Sequence, residues 1–342
     1  MSFLVSRAPF RVSFFGGGTD YPAWYLKNGG AVLSTAINKY CYLTCRYQPQ
    51  YFPTQHRVVW SHIEVVQSIS EILHPAVRAA LLAHGFDDRV GVEIHHHGDL
   101  PARTGIGSSS SFAVSLILAL KAMKGETIDK PALALAAIDL EQNKLRDAVG
   151  SQDQVASAYG GLNIIRFEQD GTIKVDPVLL SSERRDALES RLLLFYTGSN
   201  RLSSEHSKSI MENMEEKSER LTTMHKMVFE AANILKDGDL DDFGRMLDQT
   251  WQLKRGLSRS VSTSQIDEIY QTAIGAGALG GKLLGAGGAG FMAFYCPDGT
   301  QNQVRRALRN LICVELKIDR EGASILYRSA EFTARVLELA RA

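Results

Sequence analysis

The sequence predicts an α+β protein built from two domains. Three observations carry this expectation. The 342 residues exceed what one hydrophobic core usually organises. Strand-like alternation and helical spacing occur in both halves of the chain, rather than segregating into separate stretches. No tandem repeat or low-complexity tract replaces that mixture.

Residues 1–60 alternate as strands do, in Arg11–Phe15, Ala31–Ile37 and Tyr40–Tyr47. Helical spacing follows over Glu71–His84 and Phe112–Lys124, with a strand at Val90–His97 between them. Helices are expected over about Lys130–Leu145 and Ser151–Tyr159. Gly160-Gly161 then breaks the chain into the strand Leu162–Phe167. A second strand-turn pattern ends near Pro177. Ser181–Arg185 reads as a boundary, which gives domains 1–185 and 186–342.

Beyond the strand Leu192–Tyr196 the chain turns helical over Ser203–Lys236 and Asp239–Gly256. Another helix starts at Ser264, with Asp267 completing a capping-box-like start. Strands return at Gly290–Cys296 and Ala323–Tyr327. The charge run Glu212–Arg220 is a solvated helix face.

Composition narrows the function classes. Apolar residues make up 44% and charged residues 22%, as in ordinary globular proteins. Lys+Arg and Asp+Glu balance at 38 each, which argues against nucleic acid or an anionic membrane as partner. Cys41, Cys45, Cys296 and Cys313 form no metal or redox motif and read as reduced thiols. The N-terminus lacks the features of a secretion signal, and no apolar run approaches the ~18–20 residues that span a bilayer. A soluble cytoplasmic protein is expected.

The segment Leu100-Pro-Ala-Arg-Thr-Gly-Ile-Gly-Ser-Ser-Ser-Ser111 runs directly into the apolar stretch Phe112–Leu120. A glycine-rich turn that opens a helix presents unpaired N–H groups and the positive end of the helix dipole to an anion. Gly105 and Gly107 allow close backbone approach, while the serines supply donors or a metal ligand. It is not the common nucleotide P-loop, because no Gly-Lys-Ser/Thr follows. The competing reading is an N-capped core helix.

Two further glycine-rich segments flank it. Ala8–Pro22 is a strand that ends in Gly16-Gly17-Gly18 and continues Thr19-Asp20-Tyr21, where Asp20 could accept from ligand hydroxyls or sit on a plain turn. Gly285–Gly290 matches GxGxxG in form. Here, however, a helix is expected before it and a strand after it, the reverse of a dinucleotide site. A loop packed against a ligand, or a tight connection, remains. Glu141 and Asp153 lie on successive helices, and Ser151-Gln-Asp-Gln154 has capping-box character that would set Asp153 near positive helix-end charge. His95-His96-His97 sits on a strand whose faces alternate, without metal-ligand company, so structural or surface histidines are expected.

These three segments, in this order, resemble the GHMP kinase superfamily. Pro101–Ser110 looks like its central ATP-binding motif, Phe15–Pro22 like its first, and Lys282–Gly290 like its third. The likeness spans nearly the whole chain. Galactokinases carry Glu and His where Gly17 and Gly18 stand here. The all-glycine form is similar to the D-glycero-D-manno-heptose 7-phosphate kinase branch and to fucokinase domains, and Tyr196–Ser204 looks like the heptose kinase branch. The length suits a stand-alone kinase.

The resemblance implies a ribosomal-S5-like N-terminal domain with a left-handed βαβ unit, and a ferredoxin-like C-terminal domain. It implies that Pro101, Gly105, Ile106, Gly107, Ser108, Ser109, Ser110 and Ser111 wrap ATP. Ser109 and Glu141 would hold Mg²⁺, with Ser108 or Ser110 as alternatives to Ser109. Asp153 would be the catalytic base and Arg11 its partner. Gly16, Gly17, Gly18, Thr19, Asp20 and Tyr21 would meet the sugar, with Gly287 and Gly288 beside it and Arg201 on the C7 phosphate. The expected activity is phosphorylation of the anomeric C1 hydroxyl of a heptose 7-phosphate to a 1,7-bisphosphate for surface polysaccharide synthesis. A kinase of an unphosphorylated sugar is the nearest alternative. A non-catalytic sensor is a more distant one, opposed by the retention of Arg11, Ser109, Glu141 and Asp153. The partners are ATP and a sugar phosphate, and a homodimer is left open.

Overall fold

A computed structural model describes residues 3–49, 51–198, 216–258, 260–330 and 332. Two sheets organise them. The first is founded on two long antiparallel strands, β1 (Leu4–Phe15) and β2 (Gly30–Tyr47), with the short helix α1 (Pro22–Asn28) between them. The far end of β2 pairs with β5 (Val92–Gly98), which runs parallel to β3 (His56–Val59) of a hairpin with β4 (Ile63–Val66). The near end of β2 pairs with β6 (Leu162–Phe167), itself paired with β7 (Ile173–Pro177).

Against this sheet pack α2 (Pro75–Ala83), α3 (Ser108–Met123), α4 (Lys130–Ile138) and α5 (Gln152–Tyr159). Twelve of the sixteen residues of α3 are buried. A helix apolar on every side belongs at the centre of a core. Residues Asp139–Lys144 continue α4 as a π-helical turn, a feature that recurs at functional sites.

The second sheet contains β8 (Leu192–Tyr196), β9 (Gly280–Leu283), β10 (Phe291–Tyr295) and β11 (Ile312–Val314), all antiparallel in the order β11-β8-β10-β9. With α7 (Ser218–Asp237), α8 (Leu240–Arg255) and α9 (Ser264–Gly275) before β9 and α10 (Gln301–Ala307) before β11, this is the ferredoxin-like arrangement. A separate core of Phe195, Trp251, Tyr270 and Phe294 fills it. Phe243 of α8 meets the rings of Phe14 and Phe15 at 5.3 Å each, joining the two sheets through buried aromatics.

Several expectations are corrected. The strand β12 (Ser324–Arg328), expected with the C-terminal half, pairs with β1 and closes the first sheet. Ser181–Arg185, expected as a boundary, takes helical form where the chain passes from the first sheet to the second. It opens α6 (Ser182–Arg191), capped by the Ser181 hydroxyl, which joins β7 to β8. The glycine segment 285–290 is preceded by strand β9 rather than directly by a helix, so it is a connection between two antiparallel strands. The helix expected from Ser203 is described from Ser218 onward. No helix among the described residues is long and apolar enough to cross a membrane.

Candidate active site

An irregularity in β1 begins the site. Its register with β2 shifts between Pro9 and Arg11, and such bulges re-aim backbone groups. The Pro9 carbonyl turns to accept from the hydroxyls of Ser111 on α3 (2.8 Å) and Ser157 on α5 (2.9 Å). The Arg11 N–H leaves the ladder and donates to the Ile106 carbonyl of the glycine loop at 3.0 Å. One bulge thus fastens the start of α3 and the last turn of α5 to the same strand.

The Arg11 side chain completes the arrangement. Its Nε and Nη2 donate to the two oxygens of Asp153 at 2.7 and 2.6 Å, and its Nη1 donates to the Gly105 carbonyl at 2.6 Å. A planar guanidinium matches a carboxylate in this fork, which fixes the carboxylate plane as a single ammonium could not. Gly107 is the N-cap of α3, at φ 75° and ψ 28°. A Cβ there would stand 3.2 Å from Asp153 Oδ2, in a backbone conformation that side chains rarely adopt. The first turn of α3 therefore lies directly against Asp153, without a side-chain cap on its amides.

The four serines divide their work. Ser108 accepts from the Arg103 amide, and Ser111 is spent on Pro9 and Gly107. Ser110 is buried and donates to Glu141 Oε2 at 2.6 Å, as does Gln154 Nε2 at 2.6 Å. Glu141 Oε1 is buried without a hydrogen-bond partner among the described residues. Ser109 is exposed and close enough to the carboxylate to favour its charged form. Burial raises the Glu141 pKa, opposed by Ser110, Ser109 and Gln154. A buried carboxylate oxygen left unbonded beside an exposed hydroxyl fits a divalent cation that keeps its other positions for phosphate and water.

Asp20 is buried within electrostatic reach of Asp153. Its Oδ1 accepts from the Gly18 amide at 2.9 Å, and a Cβ on Gly150 would run into its Oδ2. Burial and the charge of Asp153 raise its pKa, opposed by Gly18 and Gln152. Beside Gly17 stand Ser13 Oγ and the Gln152 amide, and Ser13 Oγ and Gln152 Oε1 are buried without partners among the described residues. Buried polar groups left unmet mark a place where something polar binds.

Other residues expected at the site have partners within the protein. The Thr19 hydroxyl bonds Gly16 O, Ala31 O and the Ala31 amide, so it ties its own turn. Gly287 packs on the Val261 backbone and the Gly288 amide donates to Val261 O, so these glycines hold their loop to the segment before α9. Ser151 does not cap α5, because its hydroxyl accepts from Gln142 while Gln154 turns to Glu141. Tyr21 stands at the N-cap of α1. Pro101 accepts from the Thr104 hydroxyl at the rim of the loop. Arg201 and most of Tyr196–Ser204 lie outside the described residues. No group of three or more His, Cys, Asp or Glu able to hold a metal occurs among the described residues. His95 bonds Glu93, and His96 packs edge-on to Phe112.

Two family descriptions match the chain: GHMP kinases N terminal domain over residues 71–161, and GHMP kinases C terminal over residues 230–312. The chain belongs to the GHMP kinase family. A protein of Campylobacter jejuni described as D-glycero-alpha-D-manno-heptose 7-phosphate kinase is 27% identical to this GHMP kinase over 335 residues, 90% of this chain and 94% of its own. A galactokinase of Pyrococcus furiosus is 25% identical over 319 residues, 85% of this chain and 88% of its own. The crystal structure of a protein described as D-glycero-D-manno-heptose 1-phosphate kinase from Bacteroides thetaiotaomicron superposes with a TM-score of 0.78. It has 22% identity and covers 96% of this chain and all of that one, which establishes a shared fold.

Two lysines escaped the sequence reading. Lys282 of β9 and Lys254 of α8 are both buried, and both spend their ammonium groups on backbone carbonyls. Lys282 donates to Phe14 O at 2.7 Å, just before the first glycine loop. Burial and the charge of Arg11 lower its pKa to about 7, with Asp20 opposing. The unfolded chain therefore binds an extra proton between about 7 and the ordinary 10.5. The cost of this buried charge is full below that window and gone above it. Lys282→Met removes the cost, so its stability gain over the native chain should shrink from pH 7 to 10.5, by at most about 1.4 kcal/mol per pH unit. Denaturant unfolding across that range measures it. A pH-independent difference would show that the ammonium is not desolvated.

Proposed function

We propose that this GHMP kinase phosphorylates the anomeric C1 hydroxyl of D-glycero-D-manno-heptose 7-phosphate, with ATP as donor and Mg²⁺ as cofactor. The 1,7-bisphosphate would feed nucleotide-activated heptose for surface polysaccharide. The observation that carries a sugar substrate is the cluster of Asp20, Ser13 Oγ and Gln152 Oε1, buried beside Gly17 and next to Asp153. Adjacent hydroxyls of a sugar would satisfy all three. The Campylobacter relative supports the heptose phosphate among sugars.

In the reaction, the C1 oxygen attacks the γ-phosphorus as the bond from that phosphorus to the β,γ-bridging oxygen breaks and ADP leaves. Asp153 accepts the proton of the attacking hydroxyl. Arg11 occupies one lone-pair direction on each Asp153 oxygen and leaves the others for that proton. The uncapped turn at Gly107–Ser110 receives the phosphates. Glu141 Oε1 and the Ser109 hydroxyl would hold Mg²⁺, which neutralises phosphate charge when bound.

The galactokinase relative makes a free-sugar kinase the second reading. Incubating purified protein with ATP, Mg²⁺ and a panel of heptose 7-phosphate, galactose and fucose separates them. ADP release with the heptose phosphate alone is expected. Turnover of the free hexoses without it would replace the leading reading by the second.

A further inference from the structure

Lys254 is an anomaly in charge terms. It sits in the last turn of α8 in the ferredoxin-like half, and the residue is 7% exposed. No carboxylate among the described residues is paired with it. The charges near it, Lys282 and Arg11, are both positive, and with burial they lower its pKa well below the usual lysine range. The carbonyl end of its own helix offers some compensation. A lysine buried this way costs stability that an apolar side chain of the same length would not.

Its hydrogen bonds show where that cost is applied. The ammonium donates to Leu283 O at 2.7 Å and to Gly285 O at 2.6 Å, the carbonyls on either side of Leu284. Those residues press on the phosphate loop: a Cβ on Gly105 would run into the Leu284 carbonyl, and one on Gly285 into Gly105 Cα. Gly290 lies equally tight on Thr104, and the Phe291 amide donates to Thr104 O at 3.1 Å. The Gly105 carbonyl accepts from Arg11, the residue that grips Asp153.

We propose that Lys254 is a positioning residue for phosphoryl transfer. By clamping the 283–285 backbone, it sets the height of the Gly105–Gly107 turn and, through Gly105, the seat of Arg11. It touches neither substrate itself. Loss of the clamp lets the loop from β9 to β10 relax away from Gly105, so the phosphate turn loses its backing while the Asp20 pocket keeps its own contacts. Donor geometry and turnover suffer together; acceptor binding does not.

The test is a full steady-state comparison of native chain, Lys254→Met and Lys254→Arg, with melting temperature and affinity for a non-hydrolysable ATP analogue measured on each. Lys254→Met should fold with an unchanged or higher melting temperature. It should bind the analogue about ten-fold more weakly, the scale of one lost hydrogen bond to a charged group. Turnover should fall by about the same factor and the KM for the sugar should move by less than about two-fold. Lys254→Arg, which keeps the donors, should recover part of both losses. Analogue affinity and turnover equal to the native values in folded Lys254→Met would overturn the proposal. So would a Met variant that cannot fold together with an Arg variant of native kinetics and lowered melting temperature, since the role would then be architectural. Analogue binding needs no sugar, so a mistaken heptose assignment would show as an inactive native enzyme and leave this result readable.

Discussion

Asp153→Ala is expected to lower turnover by between about a hundred- and ten-thousand-fold, the range of a positioned proton acceptor, with ATP affinity close to native. The geometry separates the two quantities. In the proposed reaction Asp153 would meet the acceptor hydroxyl, whereas the donor phosphates would rest on the turn at Gly107–Ser110, which the Ser111 bond to Pro9 and the Arg11 amide bond to Ile106 hold without Asp153. Arg11 keeps its bond to Gly105 O in the variant, so the loop stays anchored on that side. Asp153 has 23% of its side chain exposed against 5% for Arg11, consistent with a carboxylate that opens to a ligand and a guanidinium that does not. Rapid-quench turnover and equilibrium ATP binding on the same preparation decide the matter. Unchanged turnover would remove Asp153 from the mechanism, and parallel loss of ATP affinity would make the Arg11–Asp153 pair a structural brace.

What could be read in the sequence was whatever depends on neighbours along the chain. The glycine turn before α3, the acid in the first turn of α5 and the strand-rich first sixty residues are local patterns, and each appears where expected. The return of β12 to β1 could not be read, because its partner lies more than three hundred residues away and the strand's alternation fits either sheet. The serine run illustrates the same limit within a site. All four serines are equivalent as letters, and only the bulge at Pro9 and the turn at Arg103 assign Ser111 and Ser108 to the backbone. The engagement of Thr19 is equally non-local: its hydroxyl bonds the Ala31 backbone, on the far side of α1.

The buried cations and orphaned atoms were harder still. Lys254 sits in a helix whose last turn favours any basic residue, so the sequence signal is indistinguishable from a surface lysine. Ser13 looks outward-facing in an alternating strand, yet it is buried, and Gln152 of α5 stands with it beside Gly17. A signal for Gln152 and Gln154 did exist. Two glutamines around the candidate acid on one short helix are unusual company, and both turn toward the site rather than to solvent.

Glu141→Gln should separate the metal role from the structural one. The substitution keeps shape and one carbonyl oxygen for Ser110 or Gln154, but it removes the charge whose burial raises the native pKa. An acid with a raised folded-state pKa costs stability when ionised, so at neutral pH the Gln variant should melt at an equal or higher temperature than the native chain. Turnover should move the other way. Losing the carboxylate ligand of a phosphate-neutralising cation costs several kcal/mol in the transition state, or about a hundred-fold or more in rate. Half-maximal activity should then need more Mg²⁺ at fixed ATP. A metal titration of turnover alongside thermal unfolding measures both responses on one sample. If Glu141 were only a buried partner for Ser110 and Gln154, the variant would keep the native Mg²⁺ dependence and turnover. Opposite signs for stability and rate are the signature of a charge kept for chemistry.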